Sequence, residues 1–228
     1  MIGIIAAMTV EMEKIQARMT VSDSETISGI EFVRGTLEGR EVVAAVCGIG
    51  KVFAAMCTQT MILRYRPECI INTGVAGTLT DLLAIGDIAI ADQVVQYDMD
   101  TSALGDPVGM VSGINQIYFP ADAHAVAAAQ QALRQLGLAF QTGTIASGDR
   151  FLSDGAVKAE LHTHFGAIAC EMEGGAIGHV CFVNRVPFLI LRAISDGADP
   201  NAHMDYPAFT TLAADRSSKV LCALMQTL

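Results

Sequence analysis

Four short segments concentrate the side chains that could do chemistry: Met8–Glu11, Ser147–Leu152, Glu171–Glu173 and Arg192–Asp196. Each follows an apolar run that reads as a β-strand, and open α/β sheets bind ligands just beyond the carboxyl ends of their strands. Asp196 ends the run that begins at Phe188 and so emerges from a dry core. Such surroundings disfavour a carboxylate, so its pKa is expected to rise and the group could donate a proton near neutrality. The alternative is a helix N-cap, a position aspartate favours. Glu171 and Glu173 are two apart; in a strand that spacing places both carboxylates on one face. Two like charges are costly together unless they meet a cation or hydroxyl groups, and a pair of ribose hydroxyls suits a carboxylate acceptor. A solvated helix start is the alternative, since glutamate is favoured in a first turn. Glu11 lies in or next to a helix N-terminus. Phe151, after a Gly-Asp turn, reads as either core or a stacking surface.

The elements that must carry these groups alternate regularly. Ile2–Ala7 is a fully apolar run, as expected of a strand buried on both faces. Glu31–Leu37 and Glu41–Cys47 flank a turn and predict a hairpin. Lys51–Tyr65 is a predicted helix, with Val52, Ala55, Met56, Gln59 and Leu63 at helical spacing. Cys69–Thr73 and Ile85–Val95 read as strands separated by a turn-rich Gly74–Leu79 stretch. Residues 97–121 break every periodicity, and a loop of that length inside a compact domain is usually functional or an interface element. Further along, Asp122–Leu136, Asp154–His164, Glu173–Asn184 and Tyr206–Leu228 read as helices. Phe140–Ala146, Ala167–Glu171 and Pro187–Ile194 read as strands. The last helix places Phe209, Leu212, Ala213, Val220, Leu221 and Leu224 on one side. The pattern predicts a single α/β domain over residues 1–228, a central mixed sheet covered by helices.

Composition narrows the function. The chain has 228 residues, 52% of them apolar and 17% charged, enough for one substantial core and unlike a disordered segment. Fourteen Lys and Arg against 24 Asp and Glu give a net charge of −10. The lysines (14, 51, 158 and 219) are scattered and there is no Trp, so neither a phosphate-binding patch nor a base-stacking platform is expected. Nucleic acid is a poor partner. The six cysteines form no C-x-x-C pair and read as buried free thiols in a reducing compartment. Neither a signal peptide nor a run of ~20 apolar residues is present, which predicts a cytoplasmic protein without membrane contact. Gly48-Ile49-Gly50-Lys51 fails as a phosphate loop, because Val52 replaces the Ser/Thr and Ala45 the first Gly. His162 and His164 are two apart on a helix and make a weak metal pair.

Taken in order, Ile2–Met8, Gly48-Ile-Gly-Lys-Val52, Ile71-Asn-Thr-Gly74, Gly86-Asp-Ile88, Ser147-Gly-Asp149, Glu171-Met-Glu173 and Arg192-Ala-Ile-Ser-Asp196 resemble the bacterial 5′-methylthioadenosine/S-adenosylhomocysteine nucleosidases of the nucleoside phosphorylase family. The resemblance spans nearly the whole chain. It implies a three-layer sandwich of the nucleoside phosphorylase type that cleaves the N-glycosidic bond of thionucleosides in methionine salvage, without metal or cofactor. By the same resemblance Asp196 would protonate purine N7, with Ser195 supporting its orientation. Glu173 would hold the ribose hydroxyls, and Glu11 would deprotonate the attacking water beside Arg192. Phe151 and the Leu152 backbone would hold adenine; Met8, Ile49 and Met172 would line the nucleoside pocket. Tyr206, where the family usually has Phe, would line the 5′ pocket. A homodimer is implied, the 97–121 loop lending Leu104 to the partner's site.

The segments Met8–Glu13 and Asn72–Gly77 carry no Arg, the usual phosphate ligand, so water is expected to attack rather than phosphate. Val75 stands where these nucleosidases commonly carry Ser. The Leu104 position is usually aromatic, and Ser112 replaces a frequent Pro. These departures leave 6-amino-6-deoxyfutalosine open as a substrate beside methylthioadenosine, S-adenosylhomocysteine and 5′-deoxyadenosine. A purine nucleoside phosphorylase and a non-catalytic nucleoside-binding or storage protein of the same fold are the rivals.

Overall fold

The computed structural model of the chain describes residues 1–196 and 206–228, the side chains of 206–211 excepted. The chain opens with β1 (Ile2–Ala6) and α1 (Thr9–Gln16), followed by β2 (Thr20–Ile27), β3 (Ile30–Leu37) and β4 (Arg40–Val46). Then come α2 (Lys51–Tyr65), β5 (Cys69–Thr78), β6 (Ile88–Gln96), β7 (Tyr118–Pro120), α3 (Ala123–Leu136) and β8 (Phe140–Ser147). The last elements are α4 (Gly155–Phe165), β9 (Ala167–Glu171), α5 (Gly174–Asn184), β10 (Phe188–Asp196) and α6 (Tyr206–Thr227).

The ten strands of the described residues join one mixed sheet in the order β10-β6-β8-β9-β5-β1-β4-β3-β2, with β7 on β6. β10 also pairs with β5, so β5, β10, β6, β8 and β9 close into a ring, and β1 to β4 extend it as a flap. β1 is parallel to both β4 and β5, buried at every position, which is why Ile2–Ala6 carries no polar residue. Two helical layers cover the sheet. α1, α3 and α6 pack over one apolar core with Ile4, Ile71 and Leu191; α2 and α5 pack over the other with Ile5, Ile70 and Ile190. Alternate residues of β1, β5 and β10 thus serve opposite cores, the period-2 rule in action.

The sequence reading departs from the fold in four places. β2 was not anticipated, because this solvent-exposed edge strand has almost no apolar face to betray it. Gly74–Leu79 is not a turn: β5 runs through it to Thr78, paired in register with β10. Its glycines serve a different need, taken up below. The α2 stripe of Val52, Met56 and Leu63 faces outward, the core side being Ala54, Cys57, Thr58, Met61 and Ile62. In α6, Leu212 is likewise exposed while Ala213, Val220, Leu221 and Leu224 are buried; Phe209 lies outside the described residues. The irregular 97–121 segment is as expected, apart from β7 and a short turn of 3-10 helix at Ser102–Leu104. Asp106 organises it by accepting from the hydroxyls of Thr101 and Ser112.

Candidate active site

The carboxyl ends of β1, β5, β9 and β10 surround one cavity of about 430 Å³. It is lined by Met8, Glu11, Ile49, Val75, Phe151, Met172, Glu173, Ser195 and Asp196, among others, and no Lys or Arg stands among the described residues of its wall. Ten of the residues singled out from the sequence, Glu171 included, therefore meet in one place, drawn from segments almost 190 positions apart.

Beneath the cavity lies Arg192, fully buried in mid-strand on β10 and set behind the wall rather than in it. Its Nη2 donates to Asn72 Oδ1 and Glu171 Oε2, and sits 3.5 Å from Glu173 Oε2. Burial by itself would lower the proton affinity of this guanidinium; Glu171, Glu173 and Glu11 outweigh that and raise it. The sequence placed Arg192 at the substrate. The structure instead makes it the internal cation that lets three carboxylates share a dry site.

Glu11 stands in the first turn of α1. Its Oε2 accepts from the backbone N–H of Ala7 (3.1 Å) and Met8 (2.9 Å), and its Oε1 from that of Val75 (3.0 Å). Burial pushes its pKa up; Arg192 and these three N–H groups only partly pull it back. The result is a fixed carboxylate with enhanced basicity. Room for it comes from Gly74, where a Cβ would lie 2.2 Å from Arg192 Nη1 and 2.7 Å from Glu11 Oε1. The glycines of β5 are there for side chains that cross the strand, not for turns.

Glu171 and Glu173 do converge, though not by strand alternation. β9 ends at Glu171, and Glu173 begins α5. Glu171 turns inward to accept from the Ser147 hydroxyl and from the N–H groups of Glu173 (3.0 Å) and Gly174 (2.7 Å), tying β8, β9 and α5 together. Glu173 keeps an edge on the cavity while its Oε1 accepts from Gly50 N–H at 2.9 Å. Burial, then repulsion from Glu171, pushes the Glu173 carboxyl well above the usual carboxylate range. The Gly48–Lys51 turn thus aims its amide at a carboxylate rather than a phosphate. Asp149 Oδ1 accepts from Lys51 N–H at 2.8 Å, so close to Gly50 (φ 98°) that a Cβ there would meet it at 3.0 Å.

Asp196 ends β10 just past a register shift against β5 between Ile194 and Asp196. An irregularity of that kind re-aims side chains, and here it brings consecutive Ser195 and Asp196 to the same cavity. Ser195 Oγ donates to Asp196 Oδ1 at 3.1 Å. The surroundings of Asp196 are not simply apolar, however. Lys158, on α4, places Nζ 2.8 Å from Oδ2, and both side chains are buried. Sequence reasoning passed over Lys158; the available signal was a lone lysine one turn into the helix that follows the Phe151–Leu152 loop.

The remaining candidates divide. Phe151 is 50% exposed at the rim, and Leu152 lines a small annex of about 40 Å³ with Phe151, Met172 and Asp196. Leu104 is 85% exposed and does not reach this chain's own cavity. The Tyr206 side chain lies outside the described residues. Cys170 also touches the cavity, but burial pushes its thiol up to about 12, far from a nucleophile at neutral pH. Among the described residues no group of three or more His, Cys, Asp or Glu side chains is arranged so that it could hold a metal ion.

Residues 1–226 match the Phosphorylase superfamily. The chain belongs to that superfamily. A 5′-methylthioadenosine/S-adenosylhomocysteine nucleosidase of Shewanella sp. (strain W3-18-1) is 41% identical over 229 residues, covering 100% of this chain and 99% of the relative. Among superfamily structures, the corresponding nucleosidase of Neisseria meningitidis in complex with methylthio-immucillin-A superposes with a TM-score of 0.95 at 35% identity, covering 100% and 99% of the two chains. The futalosine hydrolase of Helicobacter pylori strain 26695 gives 0.94 at 34% identity, covering 100% and 97%. The α/β architecture expected from the sequence is that of these superfamily members.

Proposed function

We propose that this chain hydrolyses the N-glycosidic bond of 5′-methylthioadenosine and S-adenosylhomocysteine, and of 5′-deoxyadenosine, releasing adenine. The observation that carries this reading is the meeting of Glu11, Glu173 and Asp196 on one cavity, each held by a different set of partners. The C1′–N9 bond breaks and its electron pair passes to the purine as Asp196 gives a proton to N7, oriented by Ser195. Positive charge grows on the ribose ring, and Glu173 holds the ribose hydroxyls next to it, a preset anion where charge develops. Glu11 takes a proton from the water whose oxygen bonds to C1′; basicity enhanced by burial suits that role. Phe151, Leu152, Met8, Ile49 and Met172 clasp the base and sugar. Arg192 acts from behind, fixing Glu173 and the Glu171 brace.

Phosphate is a poor substitute for water here. The cavity wall carries Glu11, Glu171, Glu173 and Asp196, while Arg192 is already neutralised from behind. Likeness to the futalosine hydrolase supports aminodeoxyfutalosine as a further substrate.

The whole chain acts as one domain, and as a cytoplasmic homodimer. The outward stripe of α2, with Val52 69% and Leu63 70% exposed, adjoins exposed Phe182 and Val183 on the neighbouring α5, an apolar face suited to a second copy. No helix among the described residues is long and apolar enough to cross a membrane. The deciding experiment measures adenine release from methylthioadenosine, S-adenosylhomocysteine, 5′-deoxyadenosine and aminodeoxyfutalosine, with and without phosphate. Release independent of phosphate is expected. Strict phosphate dependence would make the chain a phosphorylase, and binding without release a storage protein.

A further inference from the structure

Of the four lysines, Lys158 is the most deeply buried. Lys14 and Lys219 are largely solvated in pairs with Asp215, and Lys51 is partly exposed against Asp98. A buried ammonium is costly unless an acceptor meets it, and the cost falls further when that acceptor becomes an anion, so a fold that keeps one inside commits it to acceptors. One of them is the group assigned above as the proton donor. Among the described residues Asp196 is met from three directions: Ser195 Oγ on Oδ1, Lys158 Nζ on Oδ2, and the β5 backbone at Gly77, where a Cβ would lie 2.7 Å from Oδ2. Two of these are local or steric. Lys158 alone among the three brings charge, and it brings it on α4, directly after the loop that carries Phe151 and Leu152.

We infer that Lys158 is a positioning residue for the proton donor: its ammonium orients the Asp196 carboxyl and balances the charge left there when the proton moves to the departing base. The inference rests on the assignment of Asp196 as acid. In the step, the C1′–N9 bond breaks, its electron pair enters the purine, and the Asp196 proton forms the N7–H bond. Asp196 is left anionic against Lys158, and the proton taken from water by Glu11 restores the acid after adenine leaves. A cation 2.8 Å away is worth more to the carboxylate than to the neutral acid, so its help grows as the proton departs.

The test compares two substrates. Methylthioadenosine needs a proton on its leaving base, whereas a 4-nitrophenyl 5-methylthioriboside leaves as a stable anion and needs none. In Lys158→Met and Lys158→Gln, the ratio of kcat on the first to kcat on the second is expected to fall tenfold or more, with KM for methylthioadenosine changed less than threefold. Asp196→Asn, run in parallel, reports on the underlying assignment. If Asp196→Asn lowers the ratio but neither lysine variant does, Lys158 merely packs and the inference is overturned. A ratio retained by the glutamine variant alone would reduce the role to a neutral hydrogen bond and overturn the charge argument. If Asp196→Asn leaves the ratio intact, the acid itself is misassigned. Failure of both lysine variants to fold would make Lys158 a stability residue and likewise refute the proposal.

Discussion

Gly74→Ala puts the geometry of the water-activating carboxylate to a direct test. On an ordinary strand this substitution is favourable, since alanine loses less backbone entropy on folding and gains about 0.4–1 kcal/mol. Gly74 differs because of what crosses it. The added methyl would meet Arg192 Nη1 at 2.2 Å, Glu11 Oε1 at 2.7 Å and Glu11 Cδ at 3.2 Å. Neither side chain can retreat cheaply: Glu11 is pinned by three backbone N–H groups, and Arg192 by Asn72, Glu171 and Glu173. Overpacking of a rigid interior costs about 1–3 kcal/mol, and at about 2–4 °C per kcal/mol for a chain of this size the melting temperature should drop by roughly 2–12 °C. The catalytic loss should be greater. Clearing the contact moves Glu11 by several tenths of an ångström or more, and misplacement by about 1 Å can cost on the order of 100-fold. Adenine release, followed by absorbance, should therefore fall by about one to two orders of magnitude in kcat, alongside a urea or thermal melt. Activity within threefold of the parent, or a rise in melting temperature, would refute the claim that Gly74 exists to let Glu11 and Arg192 meet.

Other consequences follow from the same site. Glu11→Gln should reduce kcat by about 10²- to 10⁴-fold with little change in affinity for methylthioadenosine, because it removes a base rather than a binding surface; unchanged turnover in steady-state assays would exclude Glu11 as the base. Burial raises the pKa of Glu11, and its carboxylate form is the active one, so the acidic limb of kcat/KM should lie above the ~4.3 of an unperturbed glutamate. A limb at or below that value would contradict the assignment. Stability should show the matching sign. The folded pKa values of Glu11 and Glu173 are raised, so the native state binds protons more tightly than the unfolded chain, and the stabilisation present at low pH is lost as pH climbs through the folded values. Melting at pH 5 and pH 8 should show that loss, and Glu173→Gln should shrink it; an equal pH dependence in the variant would count against a raised Glu173.

How far the site was legible depended on range. The family resemblance paired Ser195 with Asp196, and spacing paired Glu171 with Glu173, yet the reason offered for the second pair was wrong. A strand was assumed to bring the carboxylates together; in fact a turn into α5 and a cation from β10 do so. Gly74 and Gly77 looked like turn formers because glycine signals bends in isolation. Their purpose became visible only with Arg192, Glu11 and Asp196 in place around them. β2 escaped because an exposed edge strand is not required to alternate.

The chain by itself determined its strands and helices wherever burial imposes a pattern, as in Ile2–Ala6, Ala123–Leu136 and Ala167–Glu171, and it determined which polar residues stand at strand ends. Those features are local: they follow from whether successive side chains face water or core. Tertiary structure decided which charges neutralise one another. It put Arg192 behind three carboxylates, Lys158 against Asp196 and the Gly50 amide on Glu173, contacts spanning from tens of residues to well over a hundred. Electrostatic partnership falls off with distance through space, which sequence separation does not measure, so those pairings had to await the closed sheet.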